Sequence, residues 1–259
     1  MRIYDTFLFS GELDMLEARL YELQDTDVYR HVIIEAGVTF QGRPKPFYYR
    51  ENQERFAPWK DRIRYVAADL ASRDTWGREH ESRELAFRGL KDAEPQDVII
   101  HADVDEFPLA SAMPQIAEVR NRVKFHARCA VFAADWELPW PWTAPSVARY
   151  DSIASFTRLR ENESFTILDA PAWHLSWLGG PEAMKRKVNS FSHTEVIDWV
   201  TAGIDAGEYY ERGLFWGTPH GAKGQTQLIA REVDETWPRW IYEKRCPSTW
   251  LRPRSVPPS

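Results

Sequence analysis

The chain has 259 residues, 43% of them hydrophobic, enough to bury the core of a single α/β unit. Acidic residues outnumber basic ones by 39 to 33, a net charge of −6 at pH 7, which disfavours a sequence-independent grip on nucleic acid. Two cysteines, Cys129 and Cys246, are too few for a disulfide framework or a zinc cluster and are expected to be free thiols; no window nears the roughly 18 apolar residues of a membrane span, so a cytoplasmic protein is expected.

The opening run "RIYDTFLF" predicts a strand. Ser10 as cap, with Glu12 and Asp14 in the first turn, predicts a helix whose apolar face is Leu13, Leu16, Leu20 and Leu23. "VYRHVIIEA" and "RIRYVAA" read as further strands, residues 78–91 as a helix and "DVIIHA" as the next strand. Strands without polar alternation, separated by helices, predict a largely parallel, Rossmann-like sheet covered on both faces. "VKFHARCAVFAADWEL" then predicts one bent strand or two, "SIASFTRLR" and "SFTIL" strands of a meander, and "PEAMKRKVNSF" a helix with proline in its first turn. The 12 tryptophans gather in Pro-rich stretches such as "DWELPWPWTAP", where rigid rings suit either the flat face of a sugar or the packing beneath irregular loops.

The strand "DVIIHA" runs into Asp103, Asp105 and Glu106. Ligands of open α/β sheets collect outside the carboxyl ends of the strands, where these acids emerge. Alternation puts Asp103 and Asp105 on one side of an extended segment, able to share a divalent cation such as Mn²⁺ or Mg²⁺ with a diphosphate, while Glu106 points elsewhere. The competing reading is a solvated turn whose acids cap the helix predicted at "LASAMPQIAEV".

Four blocks in order, "YDTFLFSGELDMLEARLYEL", "VIIEAGVTFQGRPKPFYY", "DVIIHADVDEFP" and "WHLSWLGGPEAMKRKVNSFSHTE", resemble glycosyltransferase family 17, whose named members add a bisecting N-acetylglucosamine to the core mannose of N-glycans. The resemblance implies a single GT-A-type domain, a Rossmann-like mixed sheet flanked by helices, with a nucleotide-sugar donor, a metal on the Asp-x-Asp pair and inversion at the anomeric carbon. The acceptor expected is a glycan or other hydroxyl compound, and the donor a UDP-sugar, N-acetylglucosamine by the family's example. Residues 1–207 would be this domain, with a donor half to about 110 and an acceptor half beyond, and 208–259 a Gly-, Pro- and Trp-rich extension packed on it.

Site roles follow from the same blocks. Glu182 in "WLGGPEAM" is the expected base, similar to the Gly-Gly-acid turn of inverting galactosyltransferases, or else an acid complementing a helix dipole. Glu137 is the reserve. His193 is the expected late metal ligand beside Asp103 and Asp105, with His174 competing for that place and otherwise a donor or acceptor contact. Lys187 and Arg83 are phosphate clamps or surface charges, and Glu35 binds the nucleotide or caps a turn. Trp140 and Trp142 are expected on the acceptor side, in a loop restricted by Pro139, Pro141 and Pro145. Two other functions compete. A phosphohydrolase or nucleotidyltransferase would want a second cluster of metal ligands, and a non-catalytic carbohydrate-binding protein would leave the acid pair unexplained.

Overall fold

The structure, a computed structural model, describes residues 1–161, 164–218 and 223–252. In chain order the first half holds β1 (Ile3–Phe9), α1 (Leu13–Glu22), β2 (Val28–Ala36), the single turn α2 (Tyr48–Glu51), β3 (Ile63–Ala68), α3 (Thr75–Glu84), α4 (Ala86–Gly89) and β4 (Val98–Asp103). These strands lie parallel in the order β3, β2, β1, β4, with Phe7 of β1 facing Ile33 on one side and Ala102 on the other. Every residue of β1 is buried, as a strand covered on both faces requires.

The second half holds β5 (Glu106–Pro108), α5 (Met113–Ala117), β6 (Val123–Val131), β7 (Trp136–Glu137), β8 (Trp142–Arg149), α6 (Phe156–Glu161), β9 (Thr166–Leu168) and β10 (Ala172–Ser176). There follow α7 (Gly180–Val188), α8 (Ile197–Asp205), β11 (Leu214–Gly217), β12 (Lys223–Gln227), β13 (Ile229–Ala230) and α9 (Arg239–Tyr242). The sheet continues antiparallel from β4 through β8 to β6, then to β7 and β13; β9 and β10 join β6 in parallel, and β5 pairs with β10. The result is a single mixed sheet flanked by helices, with only the β11–β12 hairpin outside it among the described residues.

Three local expectations are corrected. "SIASFTRLR" is not a strand: residues 156–161 form α6, because Glu84 of α3 accepts from the Ser155 hydroxyl (2.7 Å) and from the N–H groups of Phe156 (3.3 Å) and Thr157 (2.9 Å), satisfying the first turn from outside. Ser10 does not cap α1; the N-cap is Glu12, whose carboxylate turns back to accept the Ser10 N–H at 3.0 Å. The helix expected over 78–91 begins earlier, at Thr75 behind the Asp74 cap, and breaks at Leu85. The Trp-Pro segment also supplies β8, the strand that joins the parallel half to β6.

Behind the sheet, Phe7, Leu16, Phe107 and Trp173 form one core with Trp237, Trp240, Ile241 and Trp250 from the last part of the chain. Arg128 of β6 lies over the adjoining rings of Trp173 and Trp237, 4.3 and 4.2 Å from their centroids, and forks onto Glu137 at 2.8 and 3.0 Å.

Candidate active site

β4 ends on Asp103 at the carboxyl edge of the sheet, and the turn through Val104 and Asp105 leads into β5. The backbone of that turn is gripped from below by Arg19 of α1, which is fully buried. Its Nη1 donates to the carbonyls of Asp103 (2.9 Å), Val104 (3.3 Å) and Glu106 (2.7 Å), while Nε and Nη2 fork onto Asp5 of β1 at 3.0 and 2.5 Å. His31 Nδ1 completes the set, 2.9 Å from Asp5. Burial works against the Asp5 carboxylate, but Arg19 and His31 hold its pKa well below the ordinary range.

Above the turn each acid meets a cation. Arg83 Nη1 stands 3.0 Å from Asp103 Oδ1, and Arg160 of α6 reaches Asp103 at 3.4 Å while binding both oxygens of Glu106 at 2.6 Å. Trp142 Nε1 donates to Glu106 at 2.7 Å. Lys187 of α7 contacts Asp105 at 2.8 Å, and His174 Nε2 lies 3.8 Å from the same oxygen. Burial opposes ionisation of Asp103 and Asp105, yet Arg83 and Arg160 lower the first and Lys187 and His174 the second. The His174 imidazole is driven down by burial in spite of Asp105, so it is neutral at pH 7.

A cleft with two halves opens over these groups. The inner half, about 430 Å³, is lined by Asp103, Asp105, Arg83, Arg160, His174, Trp142 and Trp76, and by the ends of β1 and β2. The outer half, about 740 Å³, runs along α7 past Glu182 and Lys185 to Arg55 and Trp250. Ser10, Glu12, Lys45, Asp105, Trp177, Lys187 and Ser190 line both and mark their junction.

The expected site residues divide accordingly. Asp103, Asp105, Arg83, Lys187, His174 and Trp142 come together. Glu182 opens α7 after Gly179 and Gly180, both in the left-handed region, where a Cβ on Gly179 would stand 2.8 Å from Ala183 Cβ; its own side chain is 81% exposed. His193 lies at the rim of the inner half, edge-on to Trp76 at 4.9 Å. Trp140 lines neither half and lies edge-on to Phe215 at 6.3 Å. Glu35 is fully buried and accepts from Tyr48 N–H, Tyr49 N–H, Tyr65 hydroxyl and Lys45, so its oxygens hold the α2 turn against β2. Glu137 is held by Arg128 and Arg231. Both cysteines are free, and Cys129 lies buried with its sulfur 3.5 Å from His174 Nδ1.

Among the described residues no group of three His, Cys, Asp or Glu side chains gathers in ligating positions. Asp103 and Asp105 are hard oxygen donors lining one cavity, a donor set that would suit a divalent cation sharing its coordination with diphosphate oxygens and water. Arg19, Arg160 and Glu12 escaped the sequence reading. The acids that hold Arg19 and Arg160 lie 14 and 54 residues away along the chain, and the one local signal, Glu12 three residues past the end of a predicted strand with Gly11 between Ser10 and itself, equally fits a helix's acidic first turn.

The model of the family described as "Glycosyltransferase family 17" matches residues 1–203. The chain belongs to glycosyltransferase family 17. Its single mixed sheet flanked by helices is the arrangement that the resemblance implied. The acid turn, Arg19, Arg83, Arg160, Glu12 and Lys187 all fall inside the matched span, whereas β11–β13 and α9 lie beyond it. None of the curated proteins matches. Among solved structures, S. aureus TarS is similar at 10% identity over 81% of this chain and 44% of its own, with a TM-score of 0.42. This family 17 chain thus spans less than half the length of that relative. The galactosyltransferase LgtC, solved with donor and acceptor sugar analogs, matches 48% of this chain and 46% of its own at 10% identity and a TM-score of 0.31. Likenesses that distant speak to neither donor nor acceptor. No helix among the described residues is long and apolar enough to cross a membrane.

Proposed function

We propose that this family 17 enzyme transfers a sugar, with inversion, from a UDP-sugar in the inner half of the cleft to a hydroxyl of a glycan in the outer half, N-acetylglucosamine being the favoured sugar. The observation that carries the reading is the strand-end pair Asp103 and Asp105, set with Arg83, Arg160 and Lys187 in one cavity. Carboxylates and fixed cations at one strand end suit a diphosphate with a divalent ion, and suit a neutral sugar poorly. Asp103 and Asp105 would hold Mn²⁺ or Mg²⁺, which when bound neutralises charge on the departing diphosphate.

The chain's own groups do the rest. Arg83 and Arg160 keep Asp103 ionised and fixed in direction, and Arg160 ties Glu106 so that the turn keeps its shape. Lys187 sits at the junction, where its ammonium faces Asp105 and lies within the space a diphosphate would enter. His174, neutral and packed under Trp142 at 4.7 Å between ring centres, presents a donor or acceptor without adding charge.

Thermal stabilisation by a panel of nucleotide sugars, each with and without Mn²⁺, tests the proposal. A donor at about 100 times its Kd adds roughly 2.7 kcal/mol. Wild-type protein is expected to respond to a uridine diphosphate sugar only with the metal, and Asp105→Ala to lose the response while melting as a folded protein. Equal Mn²⁺-dependent affinity in Asp105→Ala refutes the site, and no response to any nucleotide sugar refutes the function.

A further inference from the structure

Glycosyl transfer with inversion needs a base that touches the acceptor hydroxyl while that oxygen faces the donor's anomeric carbon. Such a group must stand where the two halves of the cleft meet. Four carboxylates line the outer half: Glu12, Asp14, Asp105 and Glu182. Asp14 is paired with Arg55 at 2.5 Å, and Asp105 with Lys187 at 2.8 Å. Glu182 lines the outer half alone and is 81% exposed, its nearest cation Lys185 at 3.9 Å. Glu12 lines both halves, and among the described residues no Lys, Arg or His stands within 4.0 Å of its carboxylate.

From this placement we propose that Glu12 is the catalytic base of the transfer. Its backbone is fixed at the N-cap of α1, three residues beyond the end of β1, the strand that pairs Leu8 with Asp103. Its Oε2 is held by the Ser10 N–H at 3.0 Å, which aims the side chain without neutralising it. Burial raises its pKa, Lys187 opposes the rise and Asp105 adds to it, which makes it a stronger base than an exposed carboxylate. In the step, the acceptor oxygen forms its bond to the anomeric carbon as its proton passes to Glu12, and the bond from that carbon to the diphosphate oxygen breaks with its electron pair leaving on the nucleoside diphosphate. Glu12 begins ionised and ends protonated, and no redox partner is needed.

The assignment rests on the transferase reading, and one experiment separates their fates. Glu12→Gln and Glu182→Gln are compared with wild type for turnover at saturating acceptor and for Mn²⁺-dependent binding of uridine diphosphate. Glu12→Gln is expected to lose kcat by roughly 10²–10⁴-fold while binding the nucleotide within about twofold of wild type. Normal turnover in Glu12→Gln, a larger kcat loss in Glu182→Gln, or loss of nucleotide binding together with turnover in Glu12→Gln overturns it. Should Glu12→Gln not fold, Glu12→Asp is read instead: a lower kcat with nucleotide affinity kept supports the base, and an unchanged kcat overturns it. A wild-type protein that neither binds nor consumes any nucleotide sugar overturns the transferase reading and this assignment with it.

Discussion

Replacing Arg19 with methionine removes one side chain that serves five acceptors. Its guanidinium forks onto Asp5 and reaches three carbonyls of the acid turn, and both Arg19 and Asp5 are fully buried. Methionine fills much of the space but leaves the Asp5 carboxylate buried with only His31 beside it. Breaking a buried pair in this way costs about 3–5 kcal/mol, because a charge is left without its partner. With roughly 2–4 °C of melting temperature per kcal/mol in a chain of this size, Arg19→Met should melt about 6–20 °C below wild type. The decisive comparison is a cycle of wild type, Arg19→Met, Asp5→Asn and the double variant, followed by urea denaturation. The double variant holds no stranded charge, so it should be more stable than the sum of the single losses predicts, by at least about 1 kcal/mol. An Arg19→Met protein within 1 kcal/mol of wild type, or strictly additive losses, would refute the account of Arg19 as the anchor of the turn.

Two further outcomes are expected. His31 and His101 are both fully buried and both held below the ordinary histidine pKa, by burial first, so the unfolded chain binds protons below about pH 6.5 that the folded chain refuses; stability should be flat above that value and fall toward pH 5, by up to about 1.4 kcal/mol per pH unit for each histidine that stays neutral, and an unchanged urea midpoint between pH 7.5 and 5 would refute it. Trp142 lines the inner half and not the outer, so Trp142→Ala should raise the donor KM by about 2–10-fold and leave the acceptor KM within twofold, and steady-state kinetics showing the reverse would place the ring on the acceptor side after all.

The parallel half of the sheet could be read from the sequence because its strands are buried on both faces, so "YDTFLF" and "VIIHA" are mostly apolar and show no polar alternation. The strand-end acids were legible for the same reason: a buried run has to surface somewhere. α6 was not, since its Phe156 and Thr157 favour a strand and the group that satisfies its first turn, Glu84, sits 71 residues before Ser155. β8 was hidden by Pro145, which cannot donate to a ladder and argues against a central strand; the chain tolerates it near the point where the β6–β8 register shifts between Lys124 and His126. The cations failed for want of locality as well. Arg160 carries no mark in sequence that separates it from Arg158, and only the fold aims one of them at Glu106.

Arg128, laid over two adjoining indoles and forked onto Glu137, ties the part of the chain beyond the family match to the middle of the sheet. Thr236 accepts from its Nη1, Trp237 Nε1 donates to the Ala134 carbonyl, and Trp250 closes on the same core as Phe7 and Leu16. The border of kinship, at residue 203, is therefore not the border of the cooperative unit. A truncation at that border would strip Trp237, Trp240 and Trp250 from apolar faces of β1, α1 and β10, and would do so behind the acid turn that Arg19 holds. Changes far along the chain can in this way loosen the cleft without touching a residue that lines it.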